Sequence, residues 1–311
     1  MTSRMNAGII PWLIAGGAFF ALLLAVTWQF RNRSSFAQLA SAAVRVELVN
    51  RMQLDLVTAA EAEKSSVLAI TDEESRRHAD EVRAATADVE RARQNIGTLL
   101  GSNGLQRERD ALAQFARAFG NLQDIDKEVL GLAVQNTNIK AYGLLFGPAA
   151  DTLADMDAAL YRIENKFGDS AEAKTLLLLS SGARIGILRI QALLAPHIAE
   201  RSDEKMDQME VSMVREDTQI RADFRGLAAL TKLAGDVDLT TASARYDHYV
   251  EIKEQILRLS RENTNVRSLE LSLNEKRNAM ILCLDALSAL KQAILDEPIV
   301  GVTYGRPQHP R

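Results

Sequence analysis

Two copies of the tripeptide Asn-Thr-Asn, each followed by a basic residue, are the part of the sequence best suited to bind a ligand. The residues concerned are Asn136, Thr137 and Lys140 in the first copy and Asn263, Thr264 and Arg267 in the second. Amide and hydroxyl groups hold small polar molecules or water clusters, and the basic residue would favour an anion. The pattern therefore predicts a site for a small polar or anionic ligand in each copy.

The spacing of residues around the first copy indicates that its asparagine is buried. Residues at alternating spacings of four and three form the seam expected where one helix faces another: Ile125, Val129, Leu132, Asn136, Ile139, Gly143 and Phe146. Asn263 lies in the same way between Leu259 and Val266. A buried asparagine needs a hydrogen-bond partner. It either fixes the register of packed helices or binds the ligand, and the sequence leaves both interpretations open.

Other residue types that carry chemistry do not form recognisable sites. The sequence has no G-x-x-x-x-G-K-[ST], G-x-S-x-G, H-E-x-x-H or C-x-x-C-H motif, and its 4 histidines are scattered. Met206, Met209 and Met213 share a helix face and could bind Cu(I), but their spacing is more typical of core packing. The single cysteine, Cys283, is predicted to be a buried apolar residue. We therefore expect neither an enzyme nor a bound metal or cofactor.

The composition is that of an α-helical protein. Only 17 glycines and 6 prolines occur in 311 residues, and aromatic residues make up 5%. The formal net charge is −4, and no basic stripe is interleaved with aromatic residues. We therefore expect no binding of nucleic acid.

The segment Ala7–Trp28 is predicted to cross a lipid bilayer. It contains no charged residue, and its 22 residues span about 33 Å as a helix, enough for the bilayer core. A cleaved signal peptide is the alternative, but the apolar segment is long for one. The ridge of Gly17, Ala21 and Ala25 would allow close helix packing and indicates a homodimer. The basic residues on its two sides are nearly balanced, so charge alone does not fix the orientation.

Start and stop signals divide the rest of the chain into helices. Thr71 with Glu74 forms a capping box, and Ser202 marks another helix start. Breaks are predicted at Gly101–Gly104, Gly147–Pro148, Gly168–Ser170, Gly235–Asp236 and Asn274. The longest helices expected between these breaks are 105–146 and 239–273.

The chain contains an internal repeat. Residues 125–140 align without gaps with residues 252–267, with identical residues at six positions. Four helices per repeat predict an all-α fold, in which an N-terminal transmembrane helix is followed by two tandem antiparallel four-helix bundles. The expected domains are the N-terminus and anchor at 1–33, bundles at 34–168 and 169–296, and a disordered tail at 297–311.

A family resemblance is carried by residues 60–75, Ala-Glu-Ala-Glu-Lys-Ser-Ser-Val-Leu-Ala-Ile-Thr-Asp-Glu-Glu-Ser, by Asn136-Thr137-Asn138 and by the Gly147-Pro148 turn. Residues 35–165 resemble the four-helix-bundle sensor domain of methyl-accepting chemotaxis receptors, and the second repeat extends the resemblance to residue 295. The resemblance implies a ligand-sensing region, often dimeric, on the periplasmic side of a bacterial inner membrane.

The sequence departs from such receptors after the second repeat. They continue into a second transmembrane helix and signalling domains, whereas the last predicted helix here meets Pro298 and a polar tail. We therefore expect a single-pass sensory protein that acts through a separate receptor, kinase or transporter. The alternative is a structural or assembly subunit of a membrane complex that binds no ligand.

Overall fold

The computed structural model of the protein describes the backbone of residues 10–101, 105–167 and 171–297, with side chains from residue 36 onward. Within these ranges the chain is helical and contains no strands, which confirms the all-α prediction. The first half contains α1 (Ile10–Leu68), α2 (Asp72–Leu100), α3 (Gln106–Ala133), α4 (Thr137–Leu144) and α5 (Ala150–Phe167). The second half contains α6 (Ala173–Ala199), α7 (Asp203–Ala228), α8 (Val237–Glu262), α9 (Thr264–Leu271) and α10 (Arg277–Leu295).

Several predicted helix ends are confirmed by their hydrogen bonds. The Thr71 hydroxyl accepts from the Glu74 amide at 3.2 Å, and the Ser202 hydroxyl accepts from the Lys205 amide at 3.4 Å. Gly101, directly after α2, has a φ of 49°, the left-handed conformation in which glycine commonly ends a helix. The Asp236 carboxylate caps the start of α8.

The prediction of one helix over residues 105–146 is wrong. Asn136 interrupts it in a left-handed conformation, and Asn263 interrupts the helix predicted over 239–273 in the same way. The seam is consequently wrong beyond Asn136: Gly143 is exposed, and Phe146 is 70% exposed. A left-handed residue turns the chain, so the helix that follows buries a different face.

The predicted breaks at Gly147–Pro148 and Asn274 are also wrong. A π-helical turn at Leu145–Ala149 joins α4 to α5, and a second at Ser272–Lys276 joins α9 to α10. Proline has no amide hydrogen, and a π-turn shifts the hydrogen-bond pattern locally, so the helix continues past Pro148. The two π-turns begin 127 residues apart, which is also the separation of the repeated threonines.

Among the described residues, one compact unit consists of 10–59, 83–101, 105–123 and 278–297. Its described part contains the beginnings of α1 and α3, the end of α2, and α10. Met52, Ile96, Phe115 and Leu290 are among its fully buried side chains. The Arg45 guanidinium is buried beside the carboxylates of Glu108 and Glu297.

The other unit consists, among the described residues, of 60–82, 124–167 and 171–277, and it contains the repeated motif. In its main core α5, α6, α7 and α8 pack together around buried Leu160, Ile187, Ile190, Leu227 and Tyr249. These two units are built from different chain segments than the predicted bundles 34–168 and 169–296. The predicted boundary at 168–170 lies outside the described residues, so that division stays a prediction.

Glycines let α6 and α7 approach closely. A Cβ atom added to Gly186 would lie 2.7 Å from Cγ1 of Ile220, and one added to Gly226 would lie 2.9 Å from Cδ1 of Leu179. Gly182 meets Asp223 at a similar distance. The α6–α7 contact therefore depends on residues without side chains, one of them on α7 itself.

Two stretches in the described residues, Ala173–Ala199 and Val237–Leu295, are long and apolar enough to cross a membrane by length and composition. Both also contribute buried side chains such as Ile187 and Ile256 to a helical core. The predicted anchor Ala7–Trp28 begins outside the described residues, and its backbone from Ile10 onward belongs to α1. Its side chains and most of the predicted tail lie outside the described part of the structure.

Candidate functional site

Asparagine ends a helix in each copy of the motif. Asn136 precedes α4 with φ 52° and ψ 37°, and Asn263 precedes α9 with φ 53° and ψ 36°. In the described part of the chain they are the non-glycine residues with positive φ. Asparagine tolerates this conformation better than most residues, because its short side chain can bond locally. Both are buried, as the seam predicted.

The threonines that follow bond to each other. The Thr137 amide donates to the Thr264 hydroxyl at 3.2 Å, and the Thr264 amide donates to the Thr137 hydroxyl at 3.1 Å. The two hydroxyl oxygens are 3.1 Å apart. Amides in the first turn of a helix lack partners within it, so each threonine satisfies the helix start of the other copy.

The remaining asparagines continue the exchange. The Asn138 amide donates to Oδ1 of Asn265 at 3.2 Å, and the Asn265 amide donates to Oδ1 of Asn138 at 3.1 Å. Nδ2 of Asn138 donates to Oδ1 of Asn263, and Nδ2 of Asn265 donates to Oδ1 of Asn136. We call residues 136–138 together with 263–265 the junction.

The junction is also bonded to the loops of two helical hairpins. Nδ2 of Asn136 donates to Oδ1 of Asp72, at the start of α2, at 3.1 Å. Nδ2 of Asn138 donates to the carbonyl of Ile198 at 2.6 Å, and Nδ2 of Asn263 donates to the carbonyl of Glu200 at 2.8 Å. The α1–α2 and α6–α7 loops are therefore both held by the asparagines of the motif.

The two basic residues of the predicted site have different surroundings. Lys140 lies 3.1 Å from the Asp72 carboxylate and donates to the carbonyl of Gln135 at 2.7 Å. The hydrogen bond from Asn136, together with Lys140, lowers the pKa of the Asp72 carboxyl. Arg267 is exposed, and its guanidinium has no partner among the described residues.

The structure thus brings together Asn136, Thr137, Asn263 and Thr264, and it places Lys140 and Arg267 beside them. The amides and hydroxyls at the centre use their hydrogen-bonding capacity on each other. Sequence reasoning missed Asn138, Asn265 and Asp72 as members of this site. Asn138 and Asn265 could have been found, because they too are identical in the repeat, whereas nothing in the sequence identified Asp72.

A histidine lies next to the junction. His197 is fully buried near the end of α6, with Nδ1 2.7 Å from the Ser260 hydroxyl and Nε2 2.9 Å from the Glu210 carboxylate. Burial lowers the pKa of His197, against the raising effect of its hydrogen bond with Glu210. Ser260 is also fully buried, so its hydroxyl is not accessible as a nucleophile. The residues instead connect α6, α7 and α8 beside the junction.

A second polar cluster in the same unit is charged. Nζ of Lys276 lies 2.6 Å from Oδ1 of Asp126 and 3.2 Å from Oε2 of Glu63. All three side chains are at least nine-tenths buried, and one lysine faces two carboxylates. Burial raises the pKa of the Asp126 carboxyl, although Lys276 opposes this. No sequence pattern indicated this cluster, because its members are distant along the chain.

The other chemically interesting residues pack in cores. Met206 and Met213 are buried and Met209 is half-buried, so the core-packing interpretation holds for this stripe. Cys283 is buried, as predicted. Among the described residues no group of three or more His, Cys, Asp or Glu side chains is arranged to hold a metal ion.

The sequence matches no protein-family model, and comparison with curated proteins finds no match either.

Proposed function

We propose that the protein is a membrane-anchored sensory protein of chemoreceptor type. It binds a small ligand in its helical region, on the periplasmic side of a bacterial inner membrane, and acts through a separate receptor, kinase or transporter. The apolar segment Ala7–Trp28, with its ridge of small residues, supports a single-pass anchor and a homodimer. The resemblance of the repeats to chemoreceptor sensor domains supports the sensory role.

The junction is the observation that carries this proposal. It joins the starts of α4 and α9 to each other and to the loops of two hairpins. A ligand that repacks one hairpin would therefore act on hydrogen bonds at the start of both helices. Discrete repacking of helices is a common means of passing a signal between sites.

A structural or assembly subunit of a membrane complex is the second candidate. It is favoured by the mutual hydrogen bonding of the junction, because buried polar groups that satisfy each other can serve only to fix helix register. In that case Asn136, Thr137, Lys140, Asn263, Thr264 and Arg267 bind no ligand.

Co-purification of the full-length protein from native membranes after mild cross-linking tests the two candidates. The sensory proposal expects a receptor, kinase or transporter among the cross-linked proteins, identified by mass spectrometry. Recovery of the chain by itself, or of a large stoichiometric complex, would support the structural candidate.

Replacement of the two left-handed asparagines of the junction, Asn136 and Asn263, by glycine sharpens the test. Glycine keeps the positive φ without strain, whereas leucine would add about 1–2 kcal/mol of backbone strain at each position. The sensory proposal expects the double variant Asn136→Gly/Asn263→Gly to retain its partner and to lose ligand-dependent changes in cross-linking. Asn121→Gly, on the exposed side of α3, is the matched control and should respond normally.

A further inference from the structure

A cleft lies between the C-terminal half of α7 and the N-terminal half of α8. Both of these segments are distant in sequence from the junction. Its larger part is a cavity of about 450 Å³ with Phe224, Leu233 and Leu239 among its lining residues. A second cavity of about 250 Å³ adjoins it and is lined in part by Arg221 and Arg225. Phe224, Ala228, Ser243 and Asp247 line both cavities, so the two form one continuous site.

The packing of α7 explains why this cleft is open. Close contact through Gly182, Gly186 and Gly226 draws α7 towards α6. α7 therefore makes much less contact with α8 than with α6. Phe224 of α7 still reaches α8, where it stacks on Tyr246 with ring centroids 5.6 Å apart. The volume of the larger cavity is typical of sites for small molecules.

Some polar side chains that line the cleft have partners among the described residues, and others have none there. Arg221 bonds to the Asp247 carboxylate at 3.0 Å, and Asp236 is bonded to Lys166 at 2.6 Å while it caps α8. In the described part of the structure the Arg225 guanidinium has no ion-pair partner, and the Ser243 hydroxyl has no hydrogen-bond partner. Both line the smaller cavity. An unpaired guanidinium with a nearby hydroxyl suits an anion of single charge.

We propose that this cleft binds a small organic monocarboxylate with an apolar body. The carboxylate bonds to Arg225 and Ser243 in the smaller cavity, and the apolar body lies against Phe224, Leu233 and Leu239 in the larger one. Contact of that body with the cavity wall adds to the binding free energy, and the guanidinium supplies the selection for negative charge. The proposal names a ligand class for the sensory function proposed above, and its biological meaning rests on that function.

Isothermal titration calorimetry of the full-length protein in lipid nanodiscs tests the site with defined probes. Phenylacetate carries the required charge and apolar body, 2-phenylethanol lacks the charge, phenethylamine reverses it, and acetate lacks the apolar body. We expect phenylacetate to bind with a Kd below about 1 mM and the three other probes to bind at least about tenfold more weakly.

Two variants of the cleft and one control locate the binding. Arg225→Gln removes an exposed charge and should weaken phenylacetate binding about ten- to hundredfold without changing the binding of 2-phenylethanol. Ala228→Leu places a larger side chain where the two cavities meet and should weaken the binding of both probes. Arg215→Gln, on the same helix, changes another exposed arginine that does not line the cleft, and should bind as the wild type does.

The proposal is overturned if phenylacetate does not bind, if the alcohol or amine binds as tightly, or if the cleft variants bind it normally. Hydrogen exchange at the Thr137 and Thr264 amides distinguishes failure of the binding site from failure of the sensory function. Binding that depends on Arg225 but leaves those amides unchanged would support the site and contradict the sensory function. Binding that also changes their exchange would support both.

Discussion

Equivalent positions of the two repeats carry different side chains, and at one pair of positions the charges are opposite. Asp126 of α3 and Lys276 of the second π-turn form a buried charged cluster with Glu63. The residues offset from them by the repeat length of 127 are Lys253 of α8 and Ala149 of the first π-turn. Lys253 is buried along its stem, but its ammonium pairs at 3.0 Å with Glu254, which is half exposed.

The comparison distinguishes the backbone geometry that both repeats share from the charged cluster, which forms at only one of the two equivalent places. Both repeats have a left-handed asparagine, a short helix and a π-turn at matching positions. Only one of these two π-turns carries a buried charged residue, Lys276. The kink and the π-turn therefore form without a charged cluster, and the cluster is a separate feature that contributes its own stability and pH dependence.

The largest expected effect comes from breaking the charged cluster. Lys276→Met should destabilise the protein by about 3–5 kcal/mol, because it leaves the Glu63 and Asp126 carboxylates buried without a cation. Lys253→Met, at the equivalent position to Asp126, should cost less than about 1 kcal/mol, since it removes a pair that reaches the surface. Urea unfolding of the full-length variants measures both.

The triple variant Glu63→Gln/Asp126→Asn/Lys276→Met is the control for this comparison. It removes all the charges together and should recover most of the stability lost in Lys276→Met. Equal destabilisation by Lys276→Met and Lys253→Met would show that the two sides do not differ as described.

The next effect concerns the junction, where the two copies should behave alike. Thr137→Val and Thr264→Val should each cost about 1–3 kcal/mol, because each leaves a buried amide of the other copy unpaired. The double variant should cost less than the sum of the two, since both changes break the same exchange. Additive losses in urea unfolding would argue against the reciprocal hydrogen bonds.

Acid should act oppositely on His197 and on the buried charged cluster that contains Asp126. The pKa of His197 is lowered from its ordinary value of 6.5, so its contribution is complete above pH 6.5 and is lost as the pH falls towards the folded pKa. The pKa of Asp126 is raised from 3.8, so its contribution is complete below pH 3.8 and is lost as the pH rises through the folded pKa. His197→Asn should flatten the stability profile below pH 6.5, and Asp126→Asn should flatten it above pH 3.8. Thermal unfolding across this pH range measures both slopes, and a variant with the wild-type profile would contradict its assignment.

The smallest effect separates the two basic residues beside the junction. Lys140→Gln should cost no more than about 1 kcal/mol, because it breaks a surface pair with Asp72. Arg267→Gln should leave stability unchanged, since its guanidinium is exposed and has no partner in the described structure. A larger loss for Arg267→Gln than for Lys140→Gln in thermal unfolding would reverse this order.

Much of the helical fold could be predicted, because it follows from local signals. The caps at Thr71 and Ser202 and the turn at Gly101 depend on neighbouring residues and were confirmed. The kink at Asn136 was missed, because asparagine within a helical pattern does not by itself reveal a positive φ. The repeat identified the asparagines and threonines as important, but not that the two copies bond to each other, since that contact spans 127 residues.

The reciprocal form of the junction has a consequence for the origin of the chain. Each motif offers the other the same donors and acceptors that it receives, which is the contact pattern of an isologous interface with two-fold symmetry. A polypeptide with a single repeat would find these partners in a second copy of itself. The chain thus has the form of two such subunits fused into one, and fusion frees the halves to diverge, as they have at Asp126 and Lys253.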